Sequence, residues 1–102
     1  MINPKYFIAK GINVSTRTID GCSFIYLEDK KELLQLNEVG SFIWEQIDGA
    51  VTVVAIIQKC LQEYNGNELE ITQSVIEFVS LLFQEKMIEI SSEPFEGVMR
   101  SV

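Results

Sequence analysis

The 102-residue sequence contains no histidine, and this absence excludes several kinds of active site. Histidine normally titrates near neutral pH, so it serves most often as a general base and belongs to the Ser-His-Asp and Cys-His catalytic sets. None of those sets can form within this chain. The six glycines are isolated from one another, so a Gly-rich phosphate-binding loop is also missing. We therefore expect a protein without catalytic residues and without a cofactor.

Cysteine is almost as scarce as histidine. Cys22 and Cys60 are the two cysteines of the chain, and they form no Cys-x-x-Cys motif. Scattered thiols without histidine are a poor set of zinc ligands, so no metal site is expected. We interpret both cysteines as small core residues rather than reactive groups.

The sequence has few basic residues and no long apolar run. No apolar stretch approaches the roughly 18 residues of a membrane-spanning helix, and the first ten residues do not resemble a secretory signal. Lys and Arg number 8 against 15 Asp and Glu, for a net charge of −7. Proteins that bind nucleic acid gain affinity by neutralising phosphates. We expect a cytoplasmic protein with no membrane and no nucleic-acid partner, and a neutral or cationic partner suits the charge better.

The first third of the chain predicts three antiparallel strands. Residues 12–19 are rich in β-branched side chains, and Asp20-Gly21 is typical of a two-residue hairpin turn. Residues 22–27 are predicted to form the partner strand, and residues 32–36 are a third short run whose propensities suit a strand or a helix. Because a lone hairpin is marginally stable, a three-stranded sheet is favoured, with the third strand at its edge.

Three helices are predicted to follow, each beginning at a side chain that can accept from free helix N–H groups. These N-caps are Asn37, Thr52 and Asn67. The helices should end near Asp48-Gly49, Tyr64 and Lys86. Residues 87–90 are compatible with a last short strand. We expect one domain over residues 1–90 and a flexible tail over 91–102.

Trp44, the single tryptophan, allows two interpretations. Val39, Phe42, Ile43 and Ile47 should form the inner face of the first helix, and Trp44 lies about 100° beyond Ile43. It either covers the edge of the core or anchors an interface with a partner, a role in which tryptophan is enriched.

The third helix has an apolar arc of roughly 200°, wider than the stripe that a surface helix typically needs. The sheet and two helices can account for the whole arc. Alternatively, the flank formed by Ile76, Val79 and Phe83 lines a groove. An exposed edge strand can add a strand from a partner, so a peptide-binding site is predicted from that flank together with Glu32, Leu33, Leu34, Gln35 and Leu36.

The order of several short patterns resembles one known family, that of coenzyme PQQ synthesis protein D. The family is also called the RiPP recognition element, after ribosomally made and post-translationally modified peptides. The matching patterns are Leu36-Asn37-x-x-Gly40-x-x-Ile43-Trp44, Ile47-Asp48-Gly49, Val51-Thr52-Val53, Tyr64, Val75-x-x-Phe78-x-x-x-Leu82 and Met87-Ile88.

The resemblance implies an α+β, winged-helix-like fold in which a three-stranded antiparallel sheet packs on a three-helix bundle. It also implies a non-catalytic protein that binds the leader of a precursor peptide as an added strand and presents it to a modifying enzyme, often a radical SAM protein. The segment Glu28-Asp29-Lys30-Lys31 lacks the Pro-Glu expected of PQQ members, so lasso-peptide and other pathways are equally open. The alternatives are a winged-helix DNA-binding regulator and a structural subunit of an enzyme complex.

Overall fold

The computed structural model describes residues 2–95, which form an α+β fold with three helices and six strands. The strands are β1 (Phe7–Lys10), β2 (Val14–Ile19), β3 (Cys22–Leu27), β4 (Glu32–Gln35), β5 (Val51–Thr52) and β6 (Ile88–Ser91). The helices are α1 (Glu38–Gln46), α2 (Val53–Glu63) and α3 (Glu68–Gln84). The predicted fold class is confirmed.

The first sheet has the strand order β2-β3-β4 and is antiparallel throughout, as predicted. The β2–β3 hairpin turns at Asp20 and Gly21, whose φ angles are 52° and 81°. A type I′ turn requires positive φ at both central positions, and these two residue types tolerate it. In the described part of the chain β4 pairs with β3 alone, so it is an edge strand.

A second antiparallel sheet, in the order β5-β1-β6, is not predicted by the sequence pattern. Its strands are two to four residues long, too short for a period-two alternation to appear. They depend on partners distant in sequence, since Phe7 pairs with both Thr52 and Ser91. The predicted strand at 87–90 is present one residue later. It extends to the start of the predicted tail, of which residues 96–102 lie outside the described residues.

All three predicted N-caps are confirmed by hydrogen bonds. Asn37 Oδ1 accepts from the Gly40 N–H at 2.8 Å, Thr52 Oγ1 from Ala55 at 3.1 Å, and Asn67 Oδ1 from Glu70 at 3.1 Å. Each bond satisfies one of the N–H groups that the first turn of a helix leaves without a partner. The helices end one to two residues earlier than predicted.

Trp44 lies fully inside the core, with 0% of its surface exposed. Its indole Nε1 donates to Thr16 Oγ1 in β2 at 2.9 Å, and the ammonium of Lys10 in β1 lies 5.3 Å from its ring centroid. Trp44 therefore ties α1 to both sheets, and the interpretation of Trp44 as an interface anchor is wrong. Val39, predicted for the inner face, is 44% exposed instead.

The hydroxyl of Ser41 joins the start of α1 to the end of β4. Leu36 N donates to Ser23 O at 2.9 Å, as in a regular ladder, but Ser23 N donates to Ser41 Oγ at 2.8 Å. The Ser41 hydroxyl in turn donates to Leu36 O at 3.3 Å. Ser41 thus takes the place of one ladder bond and fixes the direction in which the chain leaves the sheet.

Substitution of Ser41 by alanine should destabilise the protein by about 1–3 kcal/mol, because the buried Ser23 N–H would lose its acceptor. This cost exceeds the few tenths of a kcal/mol that alanine gains as a helix former. Ser23→Ala is the matched control, since the Ser23 hydroxyl is buried without a partner among the described residues. Urea unfolding should give a lower midpoint for Ser41→Ala and an unchanged or higher one for Ser23→Ala. Equal midpoints for Ser41→Ala and the parent protein would contradict this role.

Candidate functional site

The free edge of β4 presents backbone hydrogen-bonding groups to solvent. Leu36 N bonds to Ser23 O, so the groups of Leu36 and, two residues earlier, of Leu34 point towards β3. In an antiparallel ladder the intervening residues point the other way. The N–H and C=O of Leu33 and Gln35 therefore face away from the sheet, where a further strand would pair.

The side chains of β4 alternate between the core and the solvent. Leu34 and Leu36 are partly buried and pack against the core cluster, whereas Leu33 is 65% exposed on the opposite face. Because Leu34 and Leu36 are only partly buried, side chains of an added strand on the same face of the sheet would lie beside apolar surface.

A cavity of about 600 Å³ opens at the C-terminal end of β4. It lies where β4, the start of α1, the end of α2 and the first half of α3 meet. Its lining combines apolar residues with a few amide and hydroxyl groups: Gln35, Leu36, Asn37, Val39, Gly40, Ile43, Cys60, Tyr64, Asn65, Ile71, Ser74, Val75 and Phe78. A cavity of this composition suits a bulky apolar side chain with polar contacts around it.

The face of α3 that lines this cavity is not the predicted one. Ile71, Ser74 and Phe78 have the i, i+3, i+7 spacing of one helix face, and all three line the cavity. Of the predicted flank, Val79 has 0% of its surface exposed, and Phe83 lies beside Ile12 and Ile88 in a separate depression.

Ile76, the third member of that flank, is partly buried against the core. The structure thus brings β4 together with Ile71, Ser74 and Phe78. The eight predicted site residues stay a prediction as peptide contacts. The signal in the sequence for the cavity face is the apolar arc of roughly 200°, which includes Ile71 and Phe78 but does not indicate which part of the arc lines a cavity.

We call the surface between the outer edge of β4 and α3 the groove; its backbone edge is residues 33–36, its helix face is Ile71, Ser74, Phe78 and Leu81, and the cavity lies between Gln35 and Leu36 on one side and Ile71, Ser74 and Phe78 on the other. Leu81 continues the same helix face and is 52% exposed. At the far end Lys30, in the turn before β4, donates to Glu85 Oε1 at 2.7 Å, which places the end of α3 beside that turn. From Ser74 to Glu85 the helix rises about 16 Å. An extended peptide of about five residues spans this length.

Gly40 allows α1 to begin close to α3. A Cβ atom at this position would lie 3.1 Å from Asn37 Oδ1 and 3.4 Å from Phe78 Cζ. The first contact is tight and would disturb the N-cap bond that Gly40 itself makes, whereas the second is at the limit of ordinary van der Waals contact. The glycine of the Leu-Asn-x-x-Gly pattern therefore protects the N-cap of α1 at the point where the helix passes Phe78.

Two titratable groups line the cavity, and both are displaced towards their neutral forms. Burial raises the pKa of the Cys60 thiol, whose residue is 1% exposed. Burial is the largest cause that raises the pKa of Tyr64, and the carboxylates of Glu38 and Glu63 raise it further. The Tyr64 ring packs edge-on against Phe42, with the ring centroids 5.6 Å apart. Both groups are uncharged at neutral pH, so the floor of the cavity suits an apolar side chain.

The described residues contain no candidate centre for metal chemistry. Between residues 2 and 95, no three His, Cys, Asp or Glu side chains are grouped so as to hold a metal ion. No helix in that range is long and apolar enough to cross a membrane. The groove offers backbone groups, amides and apolar surface, which are groups suited to binding.

Comparison with known proteins gives a consistent assignment. No curated protein matches the chain. Among solved structures, "TbiB1 in Complex with the TbiA(beta) Leader Peptide" is similar with a TM-score of 0.73 and 18% identity, over 79% of this chain and 94% of that one. "Lasso peptide synthetase B1 complexed with the leader peptide" is similar with a TM-score of 0.71 and 16% identity, over 80% of this chain and 96% of that one. These likenesses establish the fold.

A family model settles the relationship at the sequence level. The model described as "Coenzyme PQQ synthesis protein D (PqqD)" matches residues 22–88, more than half of the chain. The matched range begins with β3 and ends at the start of β6, so it includes β4, the three helices and the groove between them. The chain belongs to the family of coenzyme PQQ synthesis protein D.

Proposed function

We propose that this protein binds the leader segment of a ribosomally made precursor peptide and presents it to a separate modifying enzyme in the cytoplasm. The observation that carries the proposal is the outward-facing backbone of Leu33 and Gln35 beside an apolar cavity. Two proteins of the same fold were solved with leader peptides bound, and this supports a peptide as the occupant.

The proposed mechanism is addition of the leader as a fourth strand along β4. Backbone hydrogen bonds supply affinity that is independent of sequence, and the cavity selects one or two apolar side chains. Such a complex should have a Kd between nanomolar and low micromolar, which corresponds to a binding free energy of about 8–12 kcal/mol in favour of the complex. Calorimetry with leaders of the precursors encoded beside this protein's gene would measure it, and no binding by any of them would contradict the proposal.

The modifying chemistry belongs to a partner in this proposal. The groove contains no pair of groups arranged as a nucleophile and a base, so it holds the peptide without changing it. One of the two structural neighbours is named lasso peptide synthetase B1, so a lasso-peptide precursor is the first candidate to test. The next candidates are a PQQ-type precursor as the bound peptide and a radical SAM enzyme as the partner.

A DNA-binding role for the same fold predicts a basic α3, and the sequence of α3 opposes it. The segment Glu68–Gln84 contains three glutamates and no Lys or Arg. With a net charge of −7 the whole chain would release few counterions from DNA. In a gel-shift assay at physiological salt the protein should leave duplex DNA unshifted. A sequence-selective shift at nanomolar protein would favour the regulator instead.

Replacing Leu33 by proline should disrupt strand addition, because it removes one outward-facing N–H and places the proline ring at the edge where the guest strand would pair, without touching the β3–β4 ladder. Proline is tolerated at an edge strand where its nitrogen faces solvent. We expect at least tenfold weaker leader binding by calorimetry, with an unchanged circular dichroism spectrum.

Thr18→Pro is the matched control for that change. The β2–β3 register and the bond from Glu28 N to Asn13 O place the Thr18 N–H on the outer edge of β2, at the opposite side of the sheet. This variant should bind leader normally. If Thr18→Pro weakens binding and Leu33→Pro does not, the guest strand adds to β2.

Ser74→Trp tests the cavity with little risk to the core, since Ser74 is exposed and lines the cavity. The indole should fill the space meant for the peptide side chain and weaken binding at least tenfold. Gln73→Trp, one residue earlier on the solvent side of α3, is the control and should bind normally.

Phe83→Ala tests the flank predicted from sequence. If Phe83→Ala loses leader binding and Ser74→Trp binds normally, the peptide binds at the flank of Ile76, Val79 and Phe83 and not in the groove.

A further inference from the structure

The rim of the groove is strongly acidic. Glu32 begins β4, Glu38 begins α1, and Glu85 follows α3. Glu70 and Glu77 precede Ser74 and Leu81 by four residues, so they lie along the outer edge of the same helix face. All five carboxylates belong to exposed residues.

The basic residues of the described chain lie mostly elsewhere. Lys30 and Lys31 are at the turn before β4, and Lys30 is already paired with Glu85 at 2.7 Å. The others are Lys5 before β1, Lys10 over Trp44, Arg17 in β2, Lys59 bonded to Gln46, and Lys86 after α3. Glu85 and Lys30 neutralise each other, so four rim carboxylates remain and Lys31 is the one other lysine at the turn before β4.

The negative field reaches the cavity itself. Tyr64 lines the cavity, and the carboxylates of Glu38 and Glu63 add to burial in favouring its neutral form. A strand lying in the groove would be partly removed from water, where charge interactions are screened less than at an open surface. Lys or Arg side chains leaving that strand would reach the rim carboxylates on either side.

We propose that the segment bound in the groove is cationic, with Lys or Arg residues flanking the bulky apolar side chain that enters the cavity. This inference rests on the proposed function and adds the charge of its ligand. The apolar cavity holds the anchor, and the rim excludes acidic segments by repulsion while it accelerates the approach of basic ones.

Selection from a phage-displayed library of random 12-residue peptides against the full chain tests this charge preference without knowledge of the natural ligand. Peptides that bind the parent protein and lose binding to Leu33→Pro are groove ligands. These should be enriched in Lys and Arg relative to the unselected library. Their Kd, measured by fluorescence anisotropy, should rise between 50 and 500 mM salt, concentrations chosen to shorten the screening length from about 14 to about 4 Å.

Removing rim charge should weaken the same peptides. The double variant Glu70→Gln, Glu77→Gln should raise their Kd roughly three- to tenfold, the range expected of two partly exposed ion pairs. The matched control is Glu89→Gln, Glu93→Gln, which removes two exposed carboxylates in and after β6 and should leave the Kd unchanged.

Two results would overturn the inference, and they are distinguishable. Groove ligands without excess basic residues, bound equally by the rim variant, would refute the charge preference and leave the proposed function intact. Selected peptides that bind Leu33→Pro as tightly as the parent, or no selected peptide at all, would refute strand addition and the charge preference together.

Discussion

The groove depends on a short set of hydrogen bonds where β4 turns into α1. Asn37 caps the helix through Gly40, and the Ser41 hydroxyl replaces a ladder bond between Ser23 and Leu36. These bonds join the first turn of α1 both to the end of β4 and to Ser23 in β3, and so restrict rotation of α1 about the end of the sheet. The same turn places Trp44 in the core and sets the start of α1 beside the cavity, where α1 meets residues of β4, α2 and α3.

Much of this arrangement could be predicted because its causes are local. A side-chain oxygen at Asn37, Thr52 or Asn67 accepts a hydrogen bond from an N–H three residues later, so a few adjacent residues determine each helix start. The Asp20-Gly21 turn is equally local, since two adjacent residues must adopt positive φ. The edge position of β4 also follows from the order of the elements, because no later long strand was available to cover it.

The rest could not be predicted because it depends on distant partners. The strand β1 has four residues, and its pairing with β6 joins segments about eighty residues apart. Which face of α3 is buried could not be predicted for a different reason. An apolar arc of roughly 200° identifies a helix with several neighbours but not which part each neighbour covers. Burial of Val79 and exposure of Leu81 arise only when α2 and both sheets take their places.

The shortness of β4 decides how affinity and specificity are divided. Leu33 and Gln35 each offer one donor and one acceptor, and a net gain of about 0.5–1.5 kcal/mol per bond gives the ladder roughly 2–6 kcal/mol. Micromolar binding needs about 8 kcal/mol after the cost of ordering a flexible peptide has been met. The ladder alone therefore cannot hold a peptide, and this shortness also keeps the exposed edge from pairing with other chains. The shortfall must come from side chains, at about 1.5–3 kcal/mol for each large apolar group buried. Recognition consequently depends on what enters the cavity beside Ser74 and Phe78, while β4 sets the register in which it is presented.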